Sequence, residues 1–195
     1  LYYQKTEGDQ DEVEDLFALL SEIKEKHPDL QAVASGAIFS NYQRLRVENC
    51  CARLGLISLA YLWLRPQEQL LNTMISLGID ARIVKVCSLG LESKHLGMSI
   101  RDPLLLQHFD TINKKYGFNW CGEGGEFESA VLDCPLFKTH KIAVAAQEVV
   151  EHDPANNVAY LKYNDIDLVE KTAEEQAEAT RLRELHAYQR ANGTM

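Results

Sequence analysis

Short apolar runs alternate with segments of helical periodicity through the first half of the chain, and no other feature restricts its fold as much. Val13, Leu16, Phe17, Leu20 and Ile23 recur at helical spacing across residues 11–26, and Pro28 follows as a stop signal. A strand-length run covers residues 32–38, after which Val47, Cys50, Cys51 and Leu54 mark a helix closing at Gly55. The pattern repeats with a strand at 56–62, a helix at 66–77 followed by Gly78, and a strand at 79–86. Such alternation predicts a parallel sheet covered by helices. A helix over 103–116 carries Leu105, Phe109, Ile112 and Tyr116 on one face, with Gly117 as its cap. Strand-like runs at 129–132, 141–150 and 158–163 then follow with no helix between them, which predicts a smaller, partly antiparallel subdomain. Residues 172–195 read as a solvated helix or a frayed extension.

Charge and composition exclude several classes. With 29 acidic against 20 basic residues the net charge is -9, and no lysine or arginine stripe is present to displace counterions from a nucleic acid. Apolar runs are too short for a membrane span, and Leu1-Tyr2-Tyr3-Gln4 does not open a signal sequence, so a cytosolic location is expected. The absence of an initiating methionine leads us to expect a longer protein upstream. The 5 cysteines include no C-x-x-C pair, which argues against a disulfide framework or a zinc knuckle.

The densest chemical signal is Gly122-Glu123-Gly124-Gly125-Glu126-Phe127-Glu128. Glycines there permit positive backbone dihedrals and close ligand approach. The interleaved carboxylates suit a cation, a metal or an ammonia nucleophile, and the amides suit an anion nest. A tight acidic surface turn is the bland alternative. A second constellation runs from Gly36 through Ser40, Asn41, Tyr42, Gln43 and Arg46 to Glu48, a strand end entering a helix, where open parallel sheets bind ligands. An anion there would meet the helix dipole and a guanidinium; a capped surface helix with Arg46 paired to Glu48 or a neighbour is the competing reading. Smaller clusters lie at Trp63-Leu64-Arg65 with Gln67, and at Lys85 with His95-Leu96-Gly97, on one sheet edge if the strands are parallel.

The strings GAIFSNYQRLRVE, LWLRPQ, KHLG and CGEGGEFES, in this order and at these separations, resemble the diphthine-ammonia ligase family of PP-loop ATP pyrophosphatases over residues 1–171. The resemblance implies an α/β fold: a partial Rossmann-like (adenine nucleotide alpha hydrolase-like) parallel sheet over 1–100, a smaller α+β diphthine-binding subdomain over 101–171, and a tail over 172–195. It implies ATP and Mg2+ as cofactors, ammonium as nitrogen donor, and diphthine on translation elongation factor 2 as acceptor, amidated to diphthamide through an acyl adenylate. By the same resemblance Gly36, Ala37, Ser40, Tyr42, Gln43, Arg46 and Glu48 lie on the nucleotide side. Glu123, Glu126 and Glu128 are the candidate catalytic carboxylates, with Gly122, Gly124, Gly125, Phe127, Trp63, Arg65 and His95 on the substrate side.

Diphthine carries a trimethylammonium group, which Glu123, Glu126 or Glu128 would attract, with Phe127 or Trp120 adding cation-π contact. One of these glutamates accepting a proton from ammonium is the other option. The chain departs from the family in Leu64, Pro66, Trp120 and Ser129, and it contains no SGGKDS-type phosphate loop, so little ligase activity is expected from these 195 residues alone. The two constellations are expected to face a common cleft. The competing functions are a PP-loop enzyme acting on tRNA, or a non-catalytic binding fragment.

Overall fold

The computed structural model describes residues 12–191. The chain divides into two compact units between Arg65 and Pro66.

The first unit is a helix followed by a β-α-β turn of chain. Helix α1, Glu12–Lys26, begins with Glu12, Glu14 and Asp15 and ends with Lys24 and Lys26, matching its dipole at both ends. Strand β1, Ala32–Ala34, leads to helix α2, Asn41–Leu54, and then to strand β2, Ile57–Leu59. β1 and β2 pair in parallel from Ala32↔Ile57 to Ala34↔Leu59, as the alternation predicts. Gly55 ends α2 at φ 64, a left-handed cap that returns its N–H to Ala52 O and Cys51 O. α1 lies on α2, tied by the fork of Arg53 on Glu14 at 2.7 and 2.9 Å and by the Arg53 guanidinium over the Phe17 ring. Cys50 and Cys51 are buried, and desolvation raises both thiols above their ordinary range.

The second unit holds helix α3, Gln67–Ser76, helix α4, Pro103–Tyr116, and a four-stranded antiparallel sheet. Its strands are β3, Asp80–Cys87, β4, Phe127–Asp133, β5, His140–Asp153, and β6, Val158–Glu170, in the order β4-β3-β6-β5. Residues 79–86 therefore do not extend the parallel sheet as expected: β3 pairs antiparallel with β4 and with the start of β6. An apolar run specifies a strand but not the direction of its neighbour. Here the remaining edge of β3 is taken by the loop at 97–100, through Ile83 N to Met98 O, Gly97 N to Ile83 O and Ile100 N to Ala81 O.

The apolar face of α4 covers this sheet. Leu105, Phe109 and Ile112 meet Ile83, Val86, Leu91, Phe118 and Phe127, and the Phe109 ring lies 4.7 Å from Phe118 and 5.3 Å from Phe127. β5 and β6 form a long hairpin, from His140↔Glu170 to Asp153↔Val158, well beyond the runs legible in sequence. The tail resolves as helix α5, Ala173–Ala191, whose start is fixed by a reciprocal box between Thr172 and Glu175. No described helix is long and apolar enough to cross a membrane.

Phe109 is 0% exposed and holds the aromatic cluster together, so Phe109→Ala should cost about 3–5 kcal/mol in urea denaturation. Leu136→Ala, at a residue 77% exposed, should stay within about 0.5 kcal/mol.

Candidate functional site

The glycine-glutamate segment is a folded loop whose polar groups are largely consumed in holding it. Gln67, the first residue of α3, donates from Nε2 to Asn119 Oδ1 at 3.1 Å and accepts the Cys121 N–H on Oε1 at 3.0 Å. Asn119 passes the connection on: its N–H, at 3.1 Å, and its Nδ2 both donate to Glu126 Oε1. The second oxygen of Glu126 takes the Gly124 N–H at 2.8 Å. Gly122 N reaches Asn119 O and Gly125 N reaches Gly122 O, both at 2.9 Å. With the amides of Gly122, Gly124 and Gly125 engaged inside the loop, the anion nest expected there does not form.

Each glycine has its own reason. Gly122 and Gly125 sit at φ 71 and 81, and a Cβ on Gly122 would stand 2.7 Å from Phe127 O. A Cβ on Gly124 would stand 2.7 Å from Glu126 Oε1. Glycine here lets a carboxylate close over its own loop.

The three glutamates have different surroundings. Glu126 faces inward as the collector of three N–H groups. Glu128 is exposed and pairs across the strands with Lys85 at 2.8 Å, an interaction that raises the Lys85 ammonium above its ordinary range. Glu123 is half-buried near Cys121. Burial first, and then the Glu123 charge, push the Cys121 thiol up to about 11, which keeps it protonated and non-nucleophilic at neutral pH.

Three expected substrate contacts lie in the core or pack against it. Phe127 is buried between Phe109 and Phe118, with no ring face left for a cation. Trp120 is partly buried, its ring edge-on to Phe109 at 6.2 Å. His95 is also buried: it stacks on His108 at 4.4 Å, and its Nδ1 accepts the Glu92 N–H at 2.9 Å. Desolvation, then the neighbouring His108, hold its pKa below the ordinary histidine value, so it serves as a neutral cap. Lys85 and His95 belong to the antiparallel unit, so the parallel-sheet edge expected to join them to Trp63 does not exist.

In the first unit the structure does gather the predicted residues. Ser40 caps α2, accepting the Gln43 N–H at 3.2 Å, and no carboxylate occupies the first turn. Ala37 and Ile38 are buried, Gly36 borders open space, and Leu64 N donates to Ile38 O at 2.9 Å. That bond docks the Trp63 turn against the strand end, with Leu64 at φ 58. Arg65 is exposed, its N–H held by Leu62 O. Arg46 lies over the exposed Tyr42 ring. Arg44, which sequence reasoning passed over, joins the two segments: its guanidinium lies 4.2 Å from the Trp63 ring centroid and 3.4 Å from Glu48. Glu48 is thus the partner of Arg44, one turn earlier, rather than of Arg46. The i,i+4 spacing of Arg44 and Glu48 was the available signal.

An α/β chain in two units, with a capped, carboxylate-poor helix start in one and a self-braced acidic glycine loop in the other, defines the class, and comparison with known proteins defines the family. Residues 66–164 match the diphthamide synthase C-terminal domain. The chain is 51% identical over 176 residues to the diphthine--ammonia ligase of Homo sapiens, covering 88% of this chain and 63% of that protein. It is 48% identical over 190 residues to that of Mus musculus, covering 95% and 68%, and 52% identical over 165 residues to that of Schizosaccharomyces pombe, covering 83% and 26%. The chain belongs to the diphthamide synthase family, and it spans 63% of the human relative's length and 26% of the fission yeast one's.

Gln67→Ala should release the loop, lowering protection of its amides in hydrogen exchange by about 1–3 kcal/mol while α4 remains protected. Alkylation of Cys121 in the folded protein should be negligible at pH 8 and rise about tenfold per pH unit until about pH 11, read by mass spectrometry of the 119–126 peptide.

Proposed function

We propose that this chain is part of an enzyme that amidates diphthine to diphthamide on translation elongation factor 2, using ATP and ammonium through an acyl adenylate, in the cytosol. The observation that carries this reading is near-50% identity to diphthine--ammonia ligases along most of the chain, through both constellations. An acidic chain of net charge -9 also suits a protein acceptor better than an RNA.

In this reading ATP supplies the leaving group that turns a carboxylate into an acylating agent. The start of α2 suits an anion: its first turn holds no carboxylate, its dipole is positive there, and Gly36 leaves room beside it. Ser40 keeps the turn formed, while Tyr42, Gln43 and Arg46 occupy the following positions on the nucleotide side, and Arg44 fixes Trp63 and Glu48 around them. For Mg2+, no group of three His, Cys, Asp or Glu among the described residues is placed to hold a metal, so no step is assigned to it.

On the acceptor side the loop divides its glutamates. Glu126 is a positioning residue, since both of its oxygens accept N–H groups of the loop. Glu123 and Glu128 bring negative charge to the acceptor's trimethylammonium group or take the proton of ammonium.

The test uses the full-length protein with diphthine-bearing elongation factor 2, ATP and ammonium. Diphthamide should form by mass spectrometry, with pyrophosphate release requiring the acceptor and AMP release requiring ammonium as well; acceptor left unamidated rejects the reading. Glu123→Gln and Glu128→Gln should each lower kcat/KM about tenfold, through acceptor KM if they attract the cation and through kcat if they take the proton.

A further inference from the structure

The last seven residues of β6, Asn164 to Glu170, are all exposed, and no described strand lies along their outer edge. β3 pairs with β6 only at Lys85↔Tyr160, Val86↔Ala159 and Cys87↔Val158, and farther along β3 the loop at 97–100 takes its place. An exposed edge of this length is a template for another strand.

The side chains along the edge are sorted by face. Ile166 and Leu168, 58% and 74% exposed, stand on one face beside Val144 and Ile142, their register partners on β5. Asp165 and Asp167 stand on the other. The nearby cations are engaged elsewhere, Lys141 with Glu175 and Lys162 with Glu148 at 3.1 Å, and neither aspartate has a cation partner among the described residues. A second copy of the chain pairing edge to edge would bring these aspartates toward their own counterparts, which is unfavourable. The charge calls for a different partner.

We infer that the outer edge of β6 docks an extended segment of a partner protein in which lysine or arginine alternates with aliphatic residues. Main-chain bonds would extend the sheet, the aliphatic side chains would cover Ile166 and Leu168, and the basic ones would meet Asp165 and Asp167. This inference does not depend on the reaction proposed above.

Fluorescence anisotropy with a labelled nine-residue peptide alternating lysine and valine tests it on the full chain. That peptide should bind about tenfold or more tightly than one of the same composition with its lysines and valines in separate blocks, and than one with alternate backbone amides N-methylated. D165K/D167K should lose that binding and gain a glutamate-valine alternating peptide instead, with circular dichroism confirming that the variant is folded. Equal binding of the block or N-methylated peptide overturns strand addition, since charge alone would then account for it. Absence of binding, or a concentration-dependent dimer lost in D165K/D167K, overturns the assignment of a basic partner.

Discussion

A carboxylate turned inward sets the form of the glycine-rich loop. Glu126 gathers the Asn119 N–H, the Asn119 amide group and the Gly124 N–H, and Asn119 is in turn fixed by Gln67 at the start of α3. An ionised acceptor in this position makes charge-assisted bonds, stronger than those between neutral groups. The loop is also seated on the core: Phe127, the next residue, packs under it against Phe109 and Phe118. Its acidic groups are thus displayed from a base fixed by these bonds and by the aromatic core.

Much of the fold was legible in sequence, and the failures have a common cause. Helical periodicity located α1, α2, α3 and α4 closely, because a helix is specified by residues three and four positions apart, with local marks such as Gly117 after α4. The apolar run at β3 identified a strand but not the sheet it joins, which depends on residues far along the chain. Hairpin length was underestimated because residues 164–170 alternate aspartate with aliphatic residues, a pattern too polar to register as a buried strand.

The candidate site divides along the same line. Ser40 as the α2 cap was legible because an N-cap is a local device. The separate positions of Glu123, Glu126 and Glu128 were not, because identical side chains within six residues acquire different tasks only from partners such as Asn119 and Lys85. Phe127 and His95 came from family motifs, and their burial, which depends on packing partners far along the chain, was not legible in the motifs themselves. The link from Arg44 to Trp63 likewise joins two motifs that sequence alone treats separately.

The β5–β6 hairpin raises a question of stability, because two strands without a third are marginal in water. This one runs past the end of β3, so its free portion must be held from its root. Lys171, directly after β6, is 4% exposed, with its ammonium 2.5 Å from Asp133 at the end of β4 and its N–H bonded to Thr139 O before β5. Lys141 reaches Glu175 on α5, and Arg183 of α5 donates to Pro135 O in the β4–β5 connection. The tail helix, which in sequence resembled a solvated appendage, thereby fastens the base of the ribbon to the sheet. A ribbon fixed at its base and open along one edge keeps its register while leaving that edge available, whereas a hairpin free at both ends would slip or fray before it could present a fixed pattern of side chains.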